Sequence, residues 1–308
     1  MTSIAIDRPD VQRSHPRRTA LSVTRGLVRS ARPKQWVKSV LVLAAPLAAG
    51  TLLQPAVLWR TAVGTVALTL CAAAGYLVND ASDVEADRRH PSKQFRPIAA
   101  GVVPVWLAYA CAVALVLVAL VAGGLLCGPL LSGSLAAYTV TTVVYSRWLK
   151  HVAIVEMLTV ALCFLLRPIA GAAASGVPLS KWFLIVASFG SLYMVAGKRF
   201  AEVDVLGEGA AGHRKILDAY PAAYLRQTRE LAAGVTVLAY CLWAFERNGA
   251  LAQVSIIPVT YGLLRYALLL ERGQGGAPED VVLHDRGLLL AGMLWVVIFG
   301  AATAGSVL

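Results

Sequence analysis

Residues 61–87 read TAVGTVALTLCAAAGYLVNDASDVEAD, an apolar run that ends in a cluster of acidic residues. A helix needs about 20 mostly apolar residues to cross the hydrocarbon core of a bilayer, and residues 61–79 meet this length. The acidic residues follow without a break, so they fall at the polar end of the helix. This stretch therefore predicts a membrane-spanning helix that presents carboxylates at one face of the membrane.

The composition of the whole chain is typical of a membrane protein. Of its 308 residues, 58% are hydrophobic and 15% are charged, and the mean hydropathy is +0.67. Soluble domains contain about 45–50% apolar and about 25% charged residues, which disfavours a soluble enzyme. The net charge of +11 does not indicate nucleic-acid binding, because the Lys and Arg residues lie between apolar runs. The five cysteines include no C-x-x-C pair, which predicts buried free thiols rather than disulfides or a zinc site.

Nine segments are apolar and long enough to span a bilayer. They are residues 38–57, 61–79, 102–122, 128–146, 152–173, 182–198, 230–246, 251–270 and 287–306. If the N-terminus is inside, twenty-three of the 28 Lys and Arg residues lie on the inner side and three on the outer side. This bias follows the positive-inside rule. We therefore expect a multi-pass protein of the inner (plasma) membrane with a cytoplasmic N-terminus.

The chain divides into two parts under this interpretation. Residues 1–37 form a basic N-terminal tail, in which residues 19–32 suit a short interfacial helix on an anionic leaflet. Residues 38–308 form the nine-helix transmembrane catalytic domain. Sixteen of the 17 carboxylates lie in or near inner-side segments, which predicts that the polar chemistry takes place at the cytoplasmic face.

The acidic motif itself predicts a metal site. At 100° per residue, Asp80, Asp83 and Asp87 lie within a sector of about 60° on a helix, with Asn79 at its edge. Three aligned carboxylates repel one another unless a cation lies among them, and near a helix C-terminus they also oppose the helix dipole. Oxygen ligands without nearby His or Cys favour Mg²⁺. The alternative is a solvated helix end at the membrane surface.

Basic side chains accompany this motif in the sequence. Lys93 and Arg96 follow it, while Lys34 and Lys38 stand one helical turn apart before the first span, with Gln35 between them. Ammonium and guanidinium groups bind phosphate oxygens, so these residues are candidate phosphate ligands. The alternative is that they serve only as topology charges or membrane anchors.

The second long inner loop begins with another polar face. Lys198, Arg199 and Glu202 fall within about 100° of one another on a continuing helix, whereas Tyr193 would join them only through a bend. In the fifth span, Arg167 lies about mid-span, where an unpaired charge costs about 2.5–3.5 kcal/mol on insertion scales. We expect Arg167 to face the bundle interior, as a structural ion pair or as a ligand contact.

These features together resemble a known family. N-D-x-x-D-x-x-x-D at the end of the second of nine spans, with a second polar inner loop after the sixth, is similar to the UbiA superfamily of intramembrane prenyltransferases. The resemblance covers residues 32–308. It implies an all-α, UbiA-like bundle with a polar cavity open to the cytoplasm, a lateral route for an isoprenoid chain, and a diphosphate bound through Mg²⁺.

One departure from the superfamily pattern is informative. Most aromatic prenyltransferases of the superfamily carry a second Asp-rich motif after the sixth span, where this chain has Lys198-Arg199-x-x-Glu202 and only a faint D-x-x-x-E at Asp204 and Glu208. With RPKQWVK (residues 32–38) and SKQFRPIAAG (residues 92–101), the pattern resembles the decaprenyl-phosphate phosphoribosyltransferase branch. That resemblance implies phosphoribosyl diphosphate as donor, a polyprenyl phosphate as acceptor and pyrophosphate as product, in the synthesis of cell-wall arabinan precursors. The extra phosphate charge of these substrates is consistent with the exchange of carboxylates for basic residues.

The resemblance also implies residue roles. Asp80, Asp83 and Asp87 would hold Mg²⁺, assisted by Asn79. Lys198, Arg199 and Arg96 would neutralise phosphates, Lys34 and Lys38 would hold the lipid phosphate or the 5-phosphate, and Glu202 would orient a ribose hydroxyl or the basic pair. The other expected substrate contacts are Gln35, Lys93, Tyr145, Arg167 and Tyr193, of which Tyr193 would bind a phosphate.

Two other functions are alternatives for this sequence. A UbiA-type enzyme could instead move a prenyl group from its diphosphate to an aromatic acceptor. A transporter would place its ionisable groups near the bilayer midplane, whereas here they crowd one face.

Small residues such as Gly171 permit close helix contacts within the chain or between copies, so a homo-oligomer is also compatible with the sequence.

Overall fold

The computed structural model describes residues 19–206, 215–247, 249–274 and 278–304. Within these ranges the chain is helical and contains no β-strand. The α-helices are α1 (Ala20–Ser30), α2 (Ala44–Ala48), α3 (Pro55–Ser82), α4 (Val84–Arg89), α5 (Val105–Cys127), α6 (Pro129–Arg147), α7 (Val155–Ser175), α8 (Lys181–Leu206), α9 (Ala222–Glu246), α10 (Ala250–Val254), α11 (Ile256–Glu271), α12 (Pro278–His284) and α13 (Arg286–Ala304). Shorter 3₁₀ helices cover Pro33–Leu43, Lys93–Phe95, Leu149–His151 and Lys215–Ala219.

The membrane character of the chain is confirmed. Among the described residues, five helical stretches are long and apolar enough to cross a bilayer: Pro55–Ser82, Val105–Cys127, Val155–Ser175, Lys181–Val203 and Ala250–Glu271. Helix also occupies the other four predicted segments, although the count of nine crossings stays a prediction. Large apolar side chains such as Leu125, Trp106 and Val297 point outward and are exposed, as a lipid-facing surface requires.

The first predicted span differs most from expectation. Instead of one α-helix over residues 38–57, the chain forms the Pro33–Leu43 3₁₀ helix, the short α2 and a turn that leads to α3. The 3₁₀ helix packs tightly against α7. Its Val42 is completely buried, and the Val42 carbonyl oxygen lies only 1.9 Å from the position that a Cβ would occupy on Gly171. Close packing at this glycine therefore fixes the register between the two elements.

Helix α7 is shared by the two halves of the buried core. One apolar cluster joins α3, α5, α6 and α7 around Leu68, Leu131 and Leu135. A second joins α7, α8, α9 and α11 around Met157, Leu225 and Leu270. The N-terminal part of α7 therefore packs in the second cluster through Met157, and its C-terminal part packs in the first through Leu166.

The N-terminal helix lies within the predicted interfacial segment. Thr19 and Ser22 form a capping box at the start of α1, and Gly26 packs against Val103, so the helix is anchored to the bundle. Leu21 and Val28 remain exposed on its outer side. The interfacial role of α1 and the division of the chain at residue 37 stay predictions.

Candidate active site

Two buried carboxylates of the acidic motif converge on one guanidinium. Asp80 and Asp87 have only 2% and 3% of their surfaces exposed, and both accept hydrogen bonds from Nη1 of Arg96, at 3.1 Å and 2.7 Å. Arg32 donates a further hydrogen bond to Asp80 at 2.6 Å. Buried carboxylates are stable only when they are paired, so this cluster is an intrinsic cation-binding point.

Arg32 reaches this cluster through an unusual backbone conformation. Its φ of 53° lies in the left-handed region, which places the turn between α1 and the Pro33–Leu43 3₁₀ helix directly over the motif. The guanidinium also stacks on the Tyr76 ring, 4.8 Å from its centroid. Arg32 was not among the candidate site residues, although it stands in the RPKQWVK segment that marks the family branch.

Asp83 faces another partner, which corrects the expected geometry of the acidic motif. Helix α3 ends at Ser82, and Asp83 adopts a non-helical backbone before α4 begins. The carboxylate of Asp83 therefore pairs with Lys150 Nζ at 2.5 Å rather than with the cations beside Asp80. Across the described ranges, no three His, Cys, Asp or Glu side chains form a ready metal-binding group. The prediction assumed 100° per residue along one continuous helix, and this assumption does not hold where α3 ends at Ser82.

A polar cavity opens beside Asp83. Its volume is about 450 Å³. Ser82 and Tyr109 are within hydrogen-bonding distance of each other on one side, and Lys150 lies on the other. The lining residues are Ser82, Asp83, Tyr109, Ser146, Arg147, Lys150 and His151. This cavity lies at the ends of α3 and α6 that the charge bias predicts to be cytoplasmic.

Arg199 is buried in an ion-pair network with Glu202, which shares its predicted polar face, and with Glu156, which sequence reasoning did not find. Its guanidinium donates to both carboxylate oxygens of Glu156, at 2.8 Å and 2.7 Å, and to Glu202 at 2.6 Å. Glu156 is 1% exposed, whereas the Glu202 side chain keeps 29% of its surface. Arg199 is therefore neutralised by the protein and holds Glu202 in place. Its guanidinium is engaged by Glu156 and Glu202, and its contact with substrate phosphates stays a prediction.

A strained turn presents Glu156 to Arg199. Ile154 precedes α7 with φ 67°, rare for a β-branched residue, and Val155 N–H donates to the Ala153 carbonyl across it. The Ile154 N–H donates to the Tyr220 hydroxyl at 2.6 Å. Burial raises the pKa of Tyr220, so this hydroxyl stays neutral. The end of the second inner loop thus stabilises the start of α7.

Arg167 faces the bundle interior as expected, with 6% of its surface exposed. Of the two alternatives for Arg167, the structural ion pair is not observed among the described residues. Within the described residues Arg167 makes no salt bridge, and it donates instead to the Cys163 carbonyl at 2.6 Å and the Tyr138 hydroxyl at 3.1 Å. Lys38 approaches the same region, 5.8 Å from the centroid of the Phe164 ring.

Tyr193 does not contact the polar face of α8. Its hydroxyl donates to the Leu263 carbonyl at 2.5 Å, and its ring packs against Tyr266, so it is part of the buried core between α8 and α11. The Tyr193 hydroxyl is thus occupied by the Leu263 carbonyl, and its contact with a phosphate stays a prediction.

The remaining candidates lie around these clusters. Lys34 is exposed, whereas Gln35, Asn79, Lys93, Tyr145 and Lys198 are half-buried. Tyr145, at the end of α6, is close enough to Arg199 to interact with it electrostatically. The side chain of Asp204 and the whole of Glu208 lie outside the described residues.

Comparison with known proteins identifies the family. The sequence model of the UbiA prenyltransferase family matches residues 39–296, most of the chain. The chain belongs to the UbiA prenyltransferase family. The family resemblance is therefore confirmed.

Relatives within the UbiA family cover nearly the whole chain. A decaprenyl-phosphate phosphoribosyltransferase from Mycobacterium tuberculosis is 48% identical over 286 residues, which are 91% of this chain and 94% of that protein. A protein with the same name from Corynebacterium glutamicum is 42% identical over 280 residues, covering 88% and 84% of the two chains.

Solved UbiA structures share the fold. A UbiA homolog from Archaeoglobus fulgidus bound to DMAPP and Mg²⁺ superposes with a TM-score of 0.70 at 16% identity, covering 92% of this chain and 100% of that one. At this identity the likeness establishes the helical architecture. The roles of individual side chains have to be argued from the contacts described above.

Proposed function

We propose that this protein transfers a 5-phosphoribosyl group from phosphoribosyl diphosphate to a polyprenyl phosphate, such as decaprenyl phosphate, and releases pyrophosphate. The observation that carries the proposal is the convergence of Asp80 and Asp87 on one cation at the predicted cytoplasmic end of the bundle. The names of relatives that match over most of the chain supply the acceptor and the transferred group. Phosphoribosyl diphosphate is the donor that the family resemblance implies. The proposal includes a role in cell-wall arabinan precursor synthesis.

The residues present fit a divalent cation. The position of Arg96 Nη1 marks a point at which carboxylate oxygens of Asp80 and Asp87 meet, and both donors are hard oxygen ligands. Mg²⁺ prefers one or two carboxylates together with water and substrate phosphates. We assign Asp80 and Asp87 as its protein ligands, with Asp83 and Asn79 nearby. When bound there, Mg²⁺ would neutralise charge on the diphosphate leaving group.

The arginines of the cluster have a second role in this proposal. With a cation on the carboxylates, Arg32 and Arg96 would be free to donate hydrogen bonds to diphosphate oxygens. A guanidinium binds phosphate in a planar, often bidentate arrangement, which suits this exchange. Lys150, Lys93 and Lys198 supply further positive charge around the same end of the bundle.

The transfer step needs little acid or base help from the chain. An oxygen of the lipid phosphate, already anionic, forms the new bond to C1 of the ribose. The bond between C1 and the diphosphate oxygen breaks, and its electron pair leaves with pyrophosphate. The chain's contribution is position and charge. Glu202, which Arg199 holds by a hydrogen bond, would accept a hydrogen bond from a ribose hydroxyl.

The transfer assay is direct. Purified protein in detergent is incubated with Mg²⁺, phosphoribosyl diphosphate labelled in the ribose, and decaprenyl phosphate. We expect label in the lipid fraction and release of pyrophosphate. Absence of labelled lipid, with turnover of a prenyl diphosphate and an aromatic acceptor instead, would reject the proposal in favour of prenyl transfer.

A first prediction concerns Asp83. Asp83→Asn removes the charge opposite Lys150 at the mouth of the cavity, and we expect kcat/KM to fall by about a hundredfold or more. The melting temperature in detergent should change by only a few degrees, because Asp83 is half-buried. The matched control is Glu85→Gln, an exposed carboxylate in the same motif that pairs with Arg88. Full activity in Asp83→Asn would show that the Asp83 carboxylate does not contribute to the reaction.

A further inference from the structure

The bundle interior contains a buried cation without an anionic partner. Arg167 is more than nine-tenths buried, and the hydrogen-bond acceptors that it contacts, the Cys163 carbonyl and the Tyr138 hydroxyl, are both neutral. Among the described residues no carboxylate lies within salt-bridge distance of its guanidinium. A charged group in such a position is retained where an anion reaches it during function.

A second cation lies on the same aromatic ring. The Arg167 guanidinium is 4.8 Å from the centroid of Phe164, and Lys38 Nζ is 5.8 Å from it. Lys38 lies four residues before Val42, and Arg167 lies four residues before Gly171. The close contact between Gly171 and the Val42 carbonyl therefore holds the two cations in this register. The pair is therefore built into the helix packing.

The Arg167 head group points toward the end of the bundle that carries the carboxylate cluster. Because the Arg167 side chain reaches back to the Cys163 carbonyl, four residues earlier, its head group lies toward the N-terminal end of α7. Tyr138, which accepts from Arg167, is an electrostatic neighbour of Tyr76, and Tyr76 carries Arg32 on its ring. The ring that carries Arg32 is thus near enough to Tyr138 to interact with it electrostatically.

We propose that Arg167, with Lys38 and the Tyr138 hydroxyl, binds the phosphate of the polyprenyl phosphate acceptor; this assignment rests on the proposed function. Tyr138 accepts from Arg167 and so keeps its own proton to donate to a phosphate oxygen. The surroundings are apolar, with Leu68, Cys71 and Leu166 in the same core cluster. A lipid phosphate brings an isoprenoid chain that suits these surroundings, whereas a sugar phosphate would bury hydroxyl groups there.

The test measures binding without transfer. Full-length protein in detergent is titrated separately with farnesyl phosphate, farnesol, inorganic phosphate and phosphoribosyl diphosphate, by calorimetry. Arg167→Met should weaken farnesyl phosphate binding about tenfold or more and leave the donor and farnesol affinities within twofold. The matched control is Arg60→Met, another arginine that donates to a cysteine carbonyl, here Cys127; it should leave all four affinities unchanged.

Three outcomes would overturn the assignment. They are unchanged farnesyl phosphate binding in Arg167→Met, weakened donor binding instead, and wild-type binding of inorganic phosphate as tight as that of farnesyl phosphate. If Arg167→Met does not fold, Tyr138→Phe provides the same test, with a threefold or greater loss of farnesyl phosphate affinity expected. The proposed function fails separately: it falls if wild-type protein binds farnesyl phosphate through Arg167 yet transfers no phosphoribosyl group.

Discussion

Charge pairing at single residues governs the candidate site. Asp80 and Asp87 are buried and share Arg96, whereas Asp83 is half-exposed and pairs with Lys150. The same motif therefore contains a buried pair of carboxylates and a third that faces an open cavity. A cation that bound between the two buried carboxylates would compete with Arg96 for their oxygens.

This competition predicts the behaviour of Arg96→Ala. Without the guanidinium, the two buried carboxylates lose a shared counter-charge, so Mg²⁺ should bind more tightly to the free protein. We expect the apparent Kd for Mg²⁺, measured from the Mg²⁺-dependent rise in melting temperature, to fall about tenfold, while kcat/KM with the donor also falls. Arg88→Ala, which removes an exposed pair with Glu85, is the control. Weaker Mg²⁺ binding in Arg96→Ala would contradict the competition.

Asp285 gives a residue-level prediction away from the site. It accepts two hydrogen bonds from Arg265 and caps α13 by accepting from Leu288 N–H, and Arg265 holds the pKa of Asp285 below its ordinary value of 3.8. A lowered pKa means that the stabilisation is complete above pH 3.8 and is lost as the pH falls through the lowered value. Asp285→Asn should therefore melt a few degrees lower than wild type at neutral pH, with a difference that narrows in acid. A difference that stays constant with pH would refute the ionic contribution.

At the scale of elements, α7 and the Pro33–Leu43 3₁₀ helix organise the bundle. The 3₁₀ helix brings Arg32 to Asp80 at its start and Lys38 beside Phe164 in its middle. Helix α7 carries Glu156 at its start and Arg167 farther along. Close packing between these two elements therefore positions residues of three separate clusters.

Gly171→Ala tests this packing. The added Cβ would lie 1.9 Å from the Val42 carbonyl oxygen, so the 3₁₀ helix must move away from α7. Overpacking of this kind costs about 1–3 kcal/mol, and we expect a clear loss of thermal stability in detergent. Gly133→Ala is the control, because nothing lies within 4 Å of the position that its new methyl group would occupy, and alanine favours the helix. Equal stability of the two variants would show that the contact is not constraining.

At the scale of the whole molecule, topology is the property to test. Nine spans with the N-terminus inside place the C-terminus outside. Alkaline phosphatase fused after residue 308 should be active in intact cells, and a fluorescent protein at that position should stay dark. Fusions after residue 92, in the first inner loop, should give the opposite result. Matching signals at the two positions would rule out the nine-span arrangement.

Part of the site could be predicted because it depends on short-range pattern. The apolar runs, the acidic motif and the burial of Arg167 follow from the local composition and from the cost of charge in a bilayer. Glu156 and Lys150 could not be found this way, since their partners Arg199 and Asp83 are 43 and 67 residues distant in the chain. The bond from the Tyr193 hydroxyl to the Leu263 carbonyl likewise joins residues 70 positions apart.

The residue pattern was enough to predict a helical membrane protein of the UbiA family and the end of the bundle that carries its charge. These properties depend on hydrophobic length, charge bias and a contiguous motif. Which cation faces which carboxylate emerges only from the fold. Ion pairs form between side chains that helix packing and a break at Asp83 bring within a few ångströms, and neither the packing nor the break is encoded in residue spacing.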